Sequence, residues 1–349
     1  MGYSCINIKI EYFVFGVAAV LSLILTGWLR AYAISHKMLD IPNARSSHSA
    51  ATPRGGGVAV VVVMLIGLPL LWWINDFRLT DLAALCGAGV LVAVIGWLDD
   101  RGHVDAYVRL TVHFVAIGWA LVWLDGLPPV TIFDHVVNIG WVGNICTAIY
   151  LVWLLNLYNF MDGIDGIAAI EAITVCFCIV IISMLTLTDN VISQIALLLA
   201  ASVVGFLFWN FPRAKIFMGD AGSGFIGIML GIFSVKSAWI DPDLLWAWVI
   251  LLGVFMVDST VTLLRRIFRG EQIFTAHRSH AYQYAARKHK SHIKVTVFVG
   301  MINIIWLFPN ALIVIKGKVD GIVGLLIAYI PLIILAYTYK AGAKELQDV

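Results

Sequence analysis

Carboxylates stand at the ends of long apolar segments in this 349-residue chain. Asp99 and Asp100 are adjacent, Asp162 and Asp165 are three residues apart, and Asp220 lies between glycines. Adjacent carboxylates repel each other, and burial at a membrane boundary raises that cost. A divalent cation or a basic ligand would relieve the repulsion, because such cations prefer oxygen ligands. The spacing therefore favours a metal or phosphate site, with a water-facing helix end as the alternative for Asp99 and Asp100.

The segment before Asp162 carries two asparagines at the same spacing. Asn156 and Asn159 are three residues apart, so they share a face with the aspartates if the segment is helical. Helix capping would explain one aspartate here but not the whole set. Asp220 is either an ordinary helix N-cap or a ligand at the start of a helix, where anions are favoured.

Basic side chains suited to phosphate lie in two other polar loops. They are Arg45, His48, Arg54, His277, Arg278 and His280. Guanidinium and imidazole groups donate hydrogen bonds to phosphate, and the glycines at residues 55–57 permit close backbone approach. The alternative for the first loop is a positively charged membrane anchor. For residues 287–294 it is a stripe that binds anionic lipid headgroups.

The composition places these motifs in a membrane protein. The chain is 61% hydrophobic and 13% charged, whereas a soluble domain is about 25% charged. Its net charge of +2 provides no basic field, so we expect no nucleic-acid partner. The five cysteines lie in or beside apolar runs without metal-ligand spacing, which is typical of packing residues.

Apolar runs of about 15 to 25 residues recur along the chain, and each is close to the length of a membrane-spanning helix. They predict an all-α, polytopic transmembrane bundle of about eleven helices. The predicted spans are residues 12–29, 56–74, 82–98, 108–124, 139–158, 167–187, 191–210, 222–240, 244–264, 295–315 and 321–339. The uncharged stretch of the first span is longer than the apolar region of a usual signal peptide, so this span is interpreted as retained.

Most of the 23 Lys and Arg residues fall in alternate loops, which predicts the orientation of the bundle. By this rule the N-terminus is periplasmic, the C-terminus is cytoplasmic and every motif loop faces the cytoplasm. We expect one integral-membrane domain over residues 1–349, with active-site loops near residues 30–57, 99–109, 156–166, 210–224 and 265–294. This one-sided polarity favours an enzyme with a soluble substrate over the alternative, a membrane transporter or lipid flippase.

Two acids lie inside predicted spans, where ionisable residues are functional candidates. Asp258 precedes Arg265 by about two helical turns, so we expect both on one face, toward the same cavity as the motifs. Glu171 is open to two interpretations, a functional group or a structural hydrogen bond.

Together the motifs resemble the polyprenyl-phosphate N-acetylhexosamine-1-phosphate transferase family, in matching order from residue 40 to residue 280. The specific pieces are the Asp99–Asp100 pair and residues 159–166 and 219–223. The loops around His48 and His280 resemble the branch that initiates O-antigen synthesis. The three adjacent histidines and the lysine typical of the related phospho-MurNAc-pentapeptide translocase are absent from this sequence. This argues against a muramyl-pentapeptide substrate and leaves the basic role to Arg101 or Arg109.

The resemblance implies transfer of an N-acetylhexosamine 1-phosphate from a UDP-sugar to undecaprenyl phosphate, with release of UMP, in the bacterial inner membrane. It implies Mg²⁺, with Mn²⁺ as an alternative, because the diphosphate needs its charge neutralised. Asp220 and Asn159 are the expected metal ligands. Asp99, Asp100 and Asp220 are the expected catalytic residues.

Substrate contacts are expected from the basic loops and from the polar residues near Asp162. They are Arg45, His48, Arg54, Asn156, Asp162, Asp165, His277, Arg278 and His280, with Asp258 and Arg109 as further candidates. The expected partners are UDP-N-acetylhexosamine, undecaprenyl phosphate and membrane lipids, and a homodimer is an alternative to the monomer. The sequence leaves open which UDP-sugar is used, and whether transfer is direct or passes through a covalent aspartate.

Overall fold

The chain folds almost entirely into helices. The computed structural model describes residues 2–42, 50–75, 77–133, 135–186, 190–271 and 277–344. The helices of the N-terminal part are α1 (Gly2–Ser35), α2 (Val58–Asn75), α3 (Leu79–Arg101), α4 (Ala106–Trp123), α5 (Gly140–Met161), α6 (Ile167–Thr186) and α7 (Asn190–Asn210). Those that follow are α8 (Asp220–Ala238), α9 (Pro242–Leu251), α10 (Gly253–Phe268), α11 (Ala281–His289), α12 (His292–Ile302), α13 (Phe308–Ile315) and α14 (Gly321–Thr338). A π-helical turn, Asn303–Leu307, joins α12 to α13.

Within the described residues, ten helices are long and apolar enough to cross a membrane. The bent pair α9–α10 makes an eleventh if it is one span, and α12 and α13 count together. Except at α1, which continues to Ser35, their bounds lie within a few residues of the predicted spans, because the apolar length that a bilayer requires is visible in the sequence. The predicted all-α polytopic fold is confirmed. The orientation of the termini and the single domain over residues 1–349 stay predictions.

The span predicted as one helix over residues 244–264 is broken. Helices α9 and α10 meet at Leu252 and differ in direction by 68°. After the break, α10 buries Asp258, Thr262 and Arg266 on one side. Asp258 accepts hydrogen bonds from the start of α11, at Ala281 N (2.8 Å). Apolar content alone does not predict this polar contact between α10 and α11.

Helix α8 lies at the centre of the bundle, and nearly all of its residues are buried. Glycines let its start approach other backbones. A Cβ on Gly57 would lie 2.5 Å from the Cα of Gly222, and one on Gly96 would lie 2.5 Å from the backbone N of Ala221. The starts of α2 and α8 and the end of α3 therefore meet without intervening side chains, which brings their flanking polar residues together.

A short hairpin fixes the loop before α2. Strands β1 (Leu39–Asp40) and β2 (Thr52–Pro53) pair antiparallel, with Leu39 opposite Pro53. The backbone N of Phe217 donates to the carbonyl of Pro53 at 2.8 Å, which ties this hairpin to the segment before α8. A second hairpin, β3 (Val130–Ile132) with β4 (His135–Val137), lies at the other end of the bundle.

Glu171 has a structural contact away from the motif loops. Its fully buried carboxylate accepts a hydrogen bond from Asn303 Nδ2 at 2.7 Å, in the π-helical turn. The same amide nitrogen donates to Thr174 Oγ1 at 2.8 Å. Of the two interpretations of Glu171, the structure favours the structural hydrogen bond.

Candidate functional site

Asp100 closes the start of α8. Its carboxylate accepts hydrogen bonds from the backbone N–H of Asp220 (2.9 Å) and of Ala221 (3.2 Å). The first N–H groups of a helix lack partners within it and carry the positive end of its dipole. The Asp100 side chain is fully buried. Asp100 therefore binds the end of α3 to the start of α8.

Gly219 makes this contact possible. Its φ is +79°, a conformation that side chains disfavour. A Cβ on Gly219 would also lie 2.5 Å from a carboxylate oxygen of Asp100. Glycine is therefore required at the position immediately before Asp220.

Arg54 bridges the two aspartates that meet at α8. Its Nε lies 2.8 Å from Asp100 Oδ1, and its Nη2 donates to Asp220 Oδ1. Burial disfavours the charged guanidinium, but the carboxylates of Asp220 and Asp100 outweigh that effect and raise the pKa of Arg54 above its usual value. Arg54 is therefore a permanent cation beside Asp220.

Arg109, in α4, reaches the other side of Asp220. Its Nη1 lies 2.6 Å from Asp99 Oδ2 and 3.2 Å from Asp220 Oδ2. The second oxygen of Asp99 accepts from the backbone N of Val104 at 2.8 Å. Each oxygen of Asp220 thus meets a different guanidinium, and the adjacent aspartates Asp99 and Asp100 face different arginines.

The asparagines of α5 lie near the start of α8. Asn159 Nδ2 donates to Ser223 Oγ at 3.1 Å, and Ser223 Oγ donates back to the carbonyl of Gly219 at 3.1 Å. Asn156 donates to the carbonyl of Val152 in its own helix at 2.7 Å. Asn159 is therefore held beside Asp220 through the first turn of α8.

Asp162 and Asp165 belong to one sequence motif, but their side chains have different surroundings. Burial raises the pKa of Asp162 well above its usual value; Arg54 opposes this, and Asp220 and Asp100 add to it. Asp162 thus belongs to the electrostatic environment of the cluster. Asp165 instead lies 3.3 Å from the imidazole of His292, at the start of α12. A common face in a helix does not hold here because α5 ends at Met161.

A cavity of about 460 Å³ opens beside the cluster. Its polar lining includes Arg109, Asn156, Asn159, Asp220, His277 and His280. Apolar side chains form the rest of its wall, among them Leu110, Trp153, Leu155, Phe160 and Leu263. Arg54, Asp99 and Asp100 support the lining residue Asp220 from behind. The cavity therefore joins a charged floor to an apolar wall.

His277 and His280, which precede α11, also line the cavity. Their rings stack with centroids 5.0 Å apart, and Ser279 Oγ lies 3.0 Å from His277 Nδ1. Burial, together with the nearby His280 and Arg266, lowers the pKa of His277 to about 3. His277 is therefore neutral at physiological pH.

Asp258 holds this histidine segment. Its two oxygens accept the backbone N–H groups of Ala281 (2.8 Å) and Tyr282 (2.9 Å), the first residues of α11. The imidazole Nδ1 of His280 lies 3.4 Å from Asp258 Oδ1. Asp258 therefore acts on the position of His280, and it does not line the cavity beside Asp220.

The predicted residues do not all meet. Arg278 is not in the cavity lining, and its carbonyl accepts from Arg287 at 3.1 Å. Arg45 and His48 lie outside the described residues. Among the described residues, the structure brings together Arg54, Asp99, Asp100, Arg109, Asn159, Asp162 and Asp220, and Asn156, His277 and His280 line the same cavity. The catalytic and binding roles of these residues stay predictions.

His113 is a lining residue that the motif search missed. It is buried in α4 with 8% of its surface exposed, lines the cavity, and its Nδ1 has no hydrogen-bond partner in the described part of the chain. The available signal was its position four residues after Arg109, which places both on one helix face. Ser259 and Thr262, in α10, also line the cavity.

The oxygen ligands around Asp220 are suited to a divalent cation that also binds oxygens of a diphosphate. Three carboxylates, those of Asp99, Asp100 and Asp220, pair with two guanidiniums, so the cluster has excess negative charge when all three are ionised. Mg²⁺ is commonly held by one or two carboxylates together with substrate phosphates. No group of three or more His, Cys, Asp or Glu in the described ranges is arranged to hold a metal alone. A cation here would need oxygens of the substrate as well.

Several known proteins are similar to this chain along most of its length. A sequence profile of glycosyl transferase family 4 matches residues 82–238, from α3 to α8. The chain is 30% identical to a probable undecaprenyl-phosphate N-acetylglucosaminyl 1-phosphate transferase of Bacillus subtilis, over 87% of this chain and 84% of that protein. It is 28% identical to a decaprenyl-phosphate N-acetylglucosaminephosphotransferase of Mycolicibacterium smegmatis, over 90% and 87%.

A third relative has the same reaction type in its name. It is the undecaprenyl-phosphate alpha-N-acetylglucosaminyl 1-phosphate transferase of Thermotoga maritima, which is 27% identical over 77% of this chain and 80% of that protein. The region that the family profile matches, residues 82–238, contains Asp99, Asp100, Asn159 and Asp220. Coverage of this extent, with the site inside it, means that the chain belongs to the polyprenyl-phosphate N-acetylhexosamine-1-phosphate transferase family.

Proposed function

We propose that this protein transfers an N-acetylhexosamine 1-phosphate from a UDP-sugar to undecaprenyl phosphate. An oxygen of the lipid phosphate forms a bond to the β-phosphorus of the UDP-sugar, and the bond from that phosphorus to the UMP oxygen breaks. The position of Asp220 carries the proposal, because it lies between Arg54 and Arg109 on the wall of a partly apolar cavity. The names of three relatives support the reaction class.

The two arginines are the proposed diphosphate ligands. Guanidinium groups bind phosphate oxygens through paired hydrogen bonds, and both already lie beside Asp220. When a diphosphate enters, its oxygens compete with the carboxylates for the same donors. His277 and His280, which line the same cavity, are proposed to form hydrogen bonds with the substrate. His277 does so as a neutral imidazole.

Mg²⁺ is the proposed cofactor, with Mn²⁺ as an alternative. Asp220 and Asn159, the latter through its amide oxygen, are the residues that would hold it. Asp99 is linked to Asp220 by Arg109, which pairs with both carboxylates. The ion would neutralise the diphosphate and stabilise the charge that develops during displacement. Asp100 does not contact it in this proposal, because its oxygens are bound to the start of α8.

The apolar wall is the proposed path of the polyprenyl chain. Phe160 lies on this wall and is 44% exposed, and Trp153 and Leu263 continue it. A lipid phosphate has to reach the charged floor while its tail stays in an apolar environment. A cavity with a charged floor and an exposed apolar wall meets both needs.

The setting of the reaction is part of the proposal. A multi-pass protein with basic motif loops fits the cytoplasmic face of a bacterial inner membrane, where UDP-sugars are soluble substrates. The first step of O-antigen or another surface polysaccharide is the proposed pathway role. A homodimer is compatible with this role but is not needed to complete the cavity.

Transfer of labelled sugar into lipid tests the proposed function and its sugar. The purified protein is given undecaprenyl phosphate, Mg²⁺ and one of several UDP-N-acetylhexosamines, and label is counted in the butanol extract. We expect one UDP-sugar to label the lipid with release of an equal amount of UMP. UMP without labelled lipid would mean hydrolysis, and absence of both products would favour the transporter alternative.

Asp220→Asn is the variant that assigns this activity to the site. We expect UMP release at saturating Mg²⁺ to fall by about a hundred-fold or more, because the neutral amide has one acceptor oxygen instead of two for the arginines and lacks the charge that favours the cation. The matched control is Asp241→Asn, at the start of α9, where Asn caps a helix as well as Asp. Retained turnover in Asp220→Asn, with the control unchanged, would remove Asp220 from the site.

A further inference from the structure

A second cavity, of about 330 Å³, lies on the other side of α10. Helices α10, α11, α12 and α14 enclose it, and it has no lining residue in common with the cavity beside Asp220. Its wall is mainly apolar, formed by side chains such as Val257, Val295, Phe298, Leu332 and Ala336. Its volume is within the range of small-molecule pockets, about 300 to 1,000 Å³.

Basic side chains border this cavity. His289 and Lys294 are exposed and line it, and His289 Nε2 lies 3.0 Å from Tyr339 Oη. The Nζ of Lys288 lies 5.4 Å from the centroid of the same tyrosine ring. Residues 287–294 include four Lys or Arg and two His, and they contain no Asp or Glu. The border therefore favours an anionic group.

The lining of this cavity also includes residues that hold the histidine segment of the first cavity. Asp258 and Tyr282 line it, and the bonds from Ala281 and Tyr282 to Asp258 fix the start of α11. His280 directly precedes that helix and lines the first cavity. An occupant of the second cavity would therefore brace the segment that presents His280.

We propose that the second cavity binds one acyl chain of an anionic glycerophospholipid, with the headgroup against His289 and Lys294. The apolar wall matches the chain, and the basic border matches the phosphate of the headgroup. The polyprenyl acceptor does not fit this position, because its phosphate has to reach Asp220 and the start of α11 lies between the two cavities. The lipid is a structural ligand that stabilises α11, in addition to the proposed transfer reaction.

Thermal unfolding in nanodiscs tests this proposal without any assay of transfer. The full-length protein is reconstituted in POPC alone and in POPC with about one third POPG. We expect POPG to raise the unfolding midpoint by about 3 °C or more, as a ligand specific to the folded state does. One tightly retained POPG per protein should also be found by native mass spectrometry. No rise and no retained POPG would overturn the proposal.

Two variants separate the headgroup from the chain. Lys288→Gln/Lys294→Gln keeps the cavity and removes charge, whereas Ala336→Leu keeps the charge and fills the cavity. We expect both to lose the rise caused by POPG and to unfold in POPC near the wild-type midpoint. Ala285→Leu, from α11, repeats the cavity test if Ala336→Leu does not fold. The control is Lys316→Gln/Lys318→Gln, two exposed lysines after α13, which should keep the full rise.

Two results would overturn the proposal while leaving the transfer reaction intact. If Ala336→Leu and Ala285→Leu keep the rise that the lysine variant loses, POPG binds only to surface charge. If they keep the rise and increase the KM for undecaprenyl phosphate by about ten-fold, the cavity holds the acceptor chain instead. Loss of sugar transfer in every preparation, with the POPG effect preserved, would count against the proposed function alone.

Discussion

At the scale of single residues, neighbours in sequence have different partners in the structure. Asp99 pairs with Arg109, whereas Asp100 pairs with Arg54 and holds the start of α8. The sequence predicted that this pair belongs to a charged site, because adjacent carboxylates at a span end need compensation. It did not predict which oxygen meets which donor, since Asp220 comes 120 residues after Asp100 in the chain.

Asp100→Ala should therefore act mainly through the position of α8. Loss of a helix-start acceptor costs about 1 kcal/mol of stability. We also expect turnover to fall by about ten-fold or more, because Asp220 begins the same helix. Thermal unfolding and UMP release measure the two effects.

Asp241→Ala is the control for that change. It removes the acceptor at the start of α9, where Asp241 binds Asp243 N at 3.0 Å, at a site outside the cavity lining. A similar loss of stability with normal turnover is expected. If Asp100→Ala instead kept normal turnover at the same loss of stability, the link from the start of α8 to catalysis would be wrong.

His277 gives a prediction about pH. Its pKa in the folded protein is lowered to about 3 by burial, then by His280 and Arg266. An unfolded histidine titrates near 6.5, so below about pH 6.5 the unfolded state takes up a proton that the folded state does not. The contribution of this group to stability is present above about pH 6.5 and is lost as the pH falls toward 3.

The unfolding midpoint of wild type should thus fall between about pH 7 and pH 5, and His277→Gln should reduce that fall. Its turnover should keep the wild-type pH profile over about pH 5 to 8, because neutral His277 does not titrate there. A titration step that disappears from the turnover profile of His277→Gln would contradict the assignment of His277 as neutral.

At the scale of helices, the sequence predicted length better than direction. The apolar runs placed α3, α5 and α8 within a few residues, because a bilayer sets a minimum apolar length. The break at Leu252 was missed, since both α9 and α10 contribute to one apolar run. After the break, Asp258 joins α10 to the start of α11, whose residue Ala281 lies 23 positions later in the chain.

The start of α2 packs closely on the start of α8, and this contact keeps Arg54 near Asp220. Gly57→Ala would place a Cβ 2.5 Å from the Cα of Gly222, so one helix start has to move. We expect a loss of about 1 to 3 kcal/mol in stability, as overpacked cores show, with reduced turnover. Thermal unfolding and UMP release are the readouts.

Gly118→Ala, in α4, is the matched change for this test. A Cβ on Gly118 meets no atom within 4 Å, and Ala favours a helix over Gly by about 1 kcal/mol. This variant should be as stable as wild type or more so, with normal turnover. Equal behaviour of the two variants would remove the close approach of α2 and α8 as a requirement of the site.

At the scale of the whole molecule, the described motif residues gather at one end of the bundle. The sequence predicted this from the alternation of Lys and Arg among the loops, together with the fold class and the family resemblance. It did not separate the two cavities on either side of α10, because their walls combine residues from helices distant in sequence. Asp165 and Asp258 belong to the motifs but contact α12 and α11, respectively.

The transfer of the sugar together with its phosphate is the central claim. UDP-N-acetylglucosamine labelled with ³²P at the β-phosphate, supplied with undecaprenyl phosphate and Mg²⁺, follows that phosphate directly. The account predicts that ³²P enters the butanol-extractable lipid in step with the release of unlabelled UMP, and that Asp220→Asn abolishes both. Sugar reaching the lipid while ³²P stays in released UDP would contradict it.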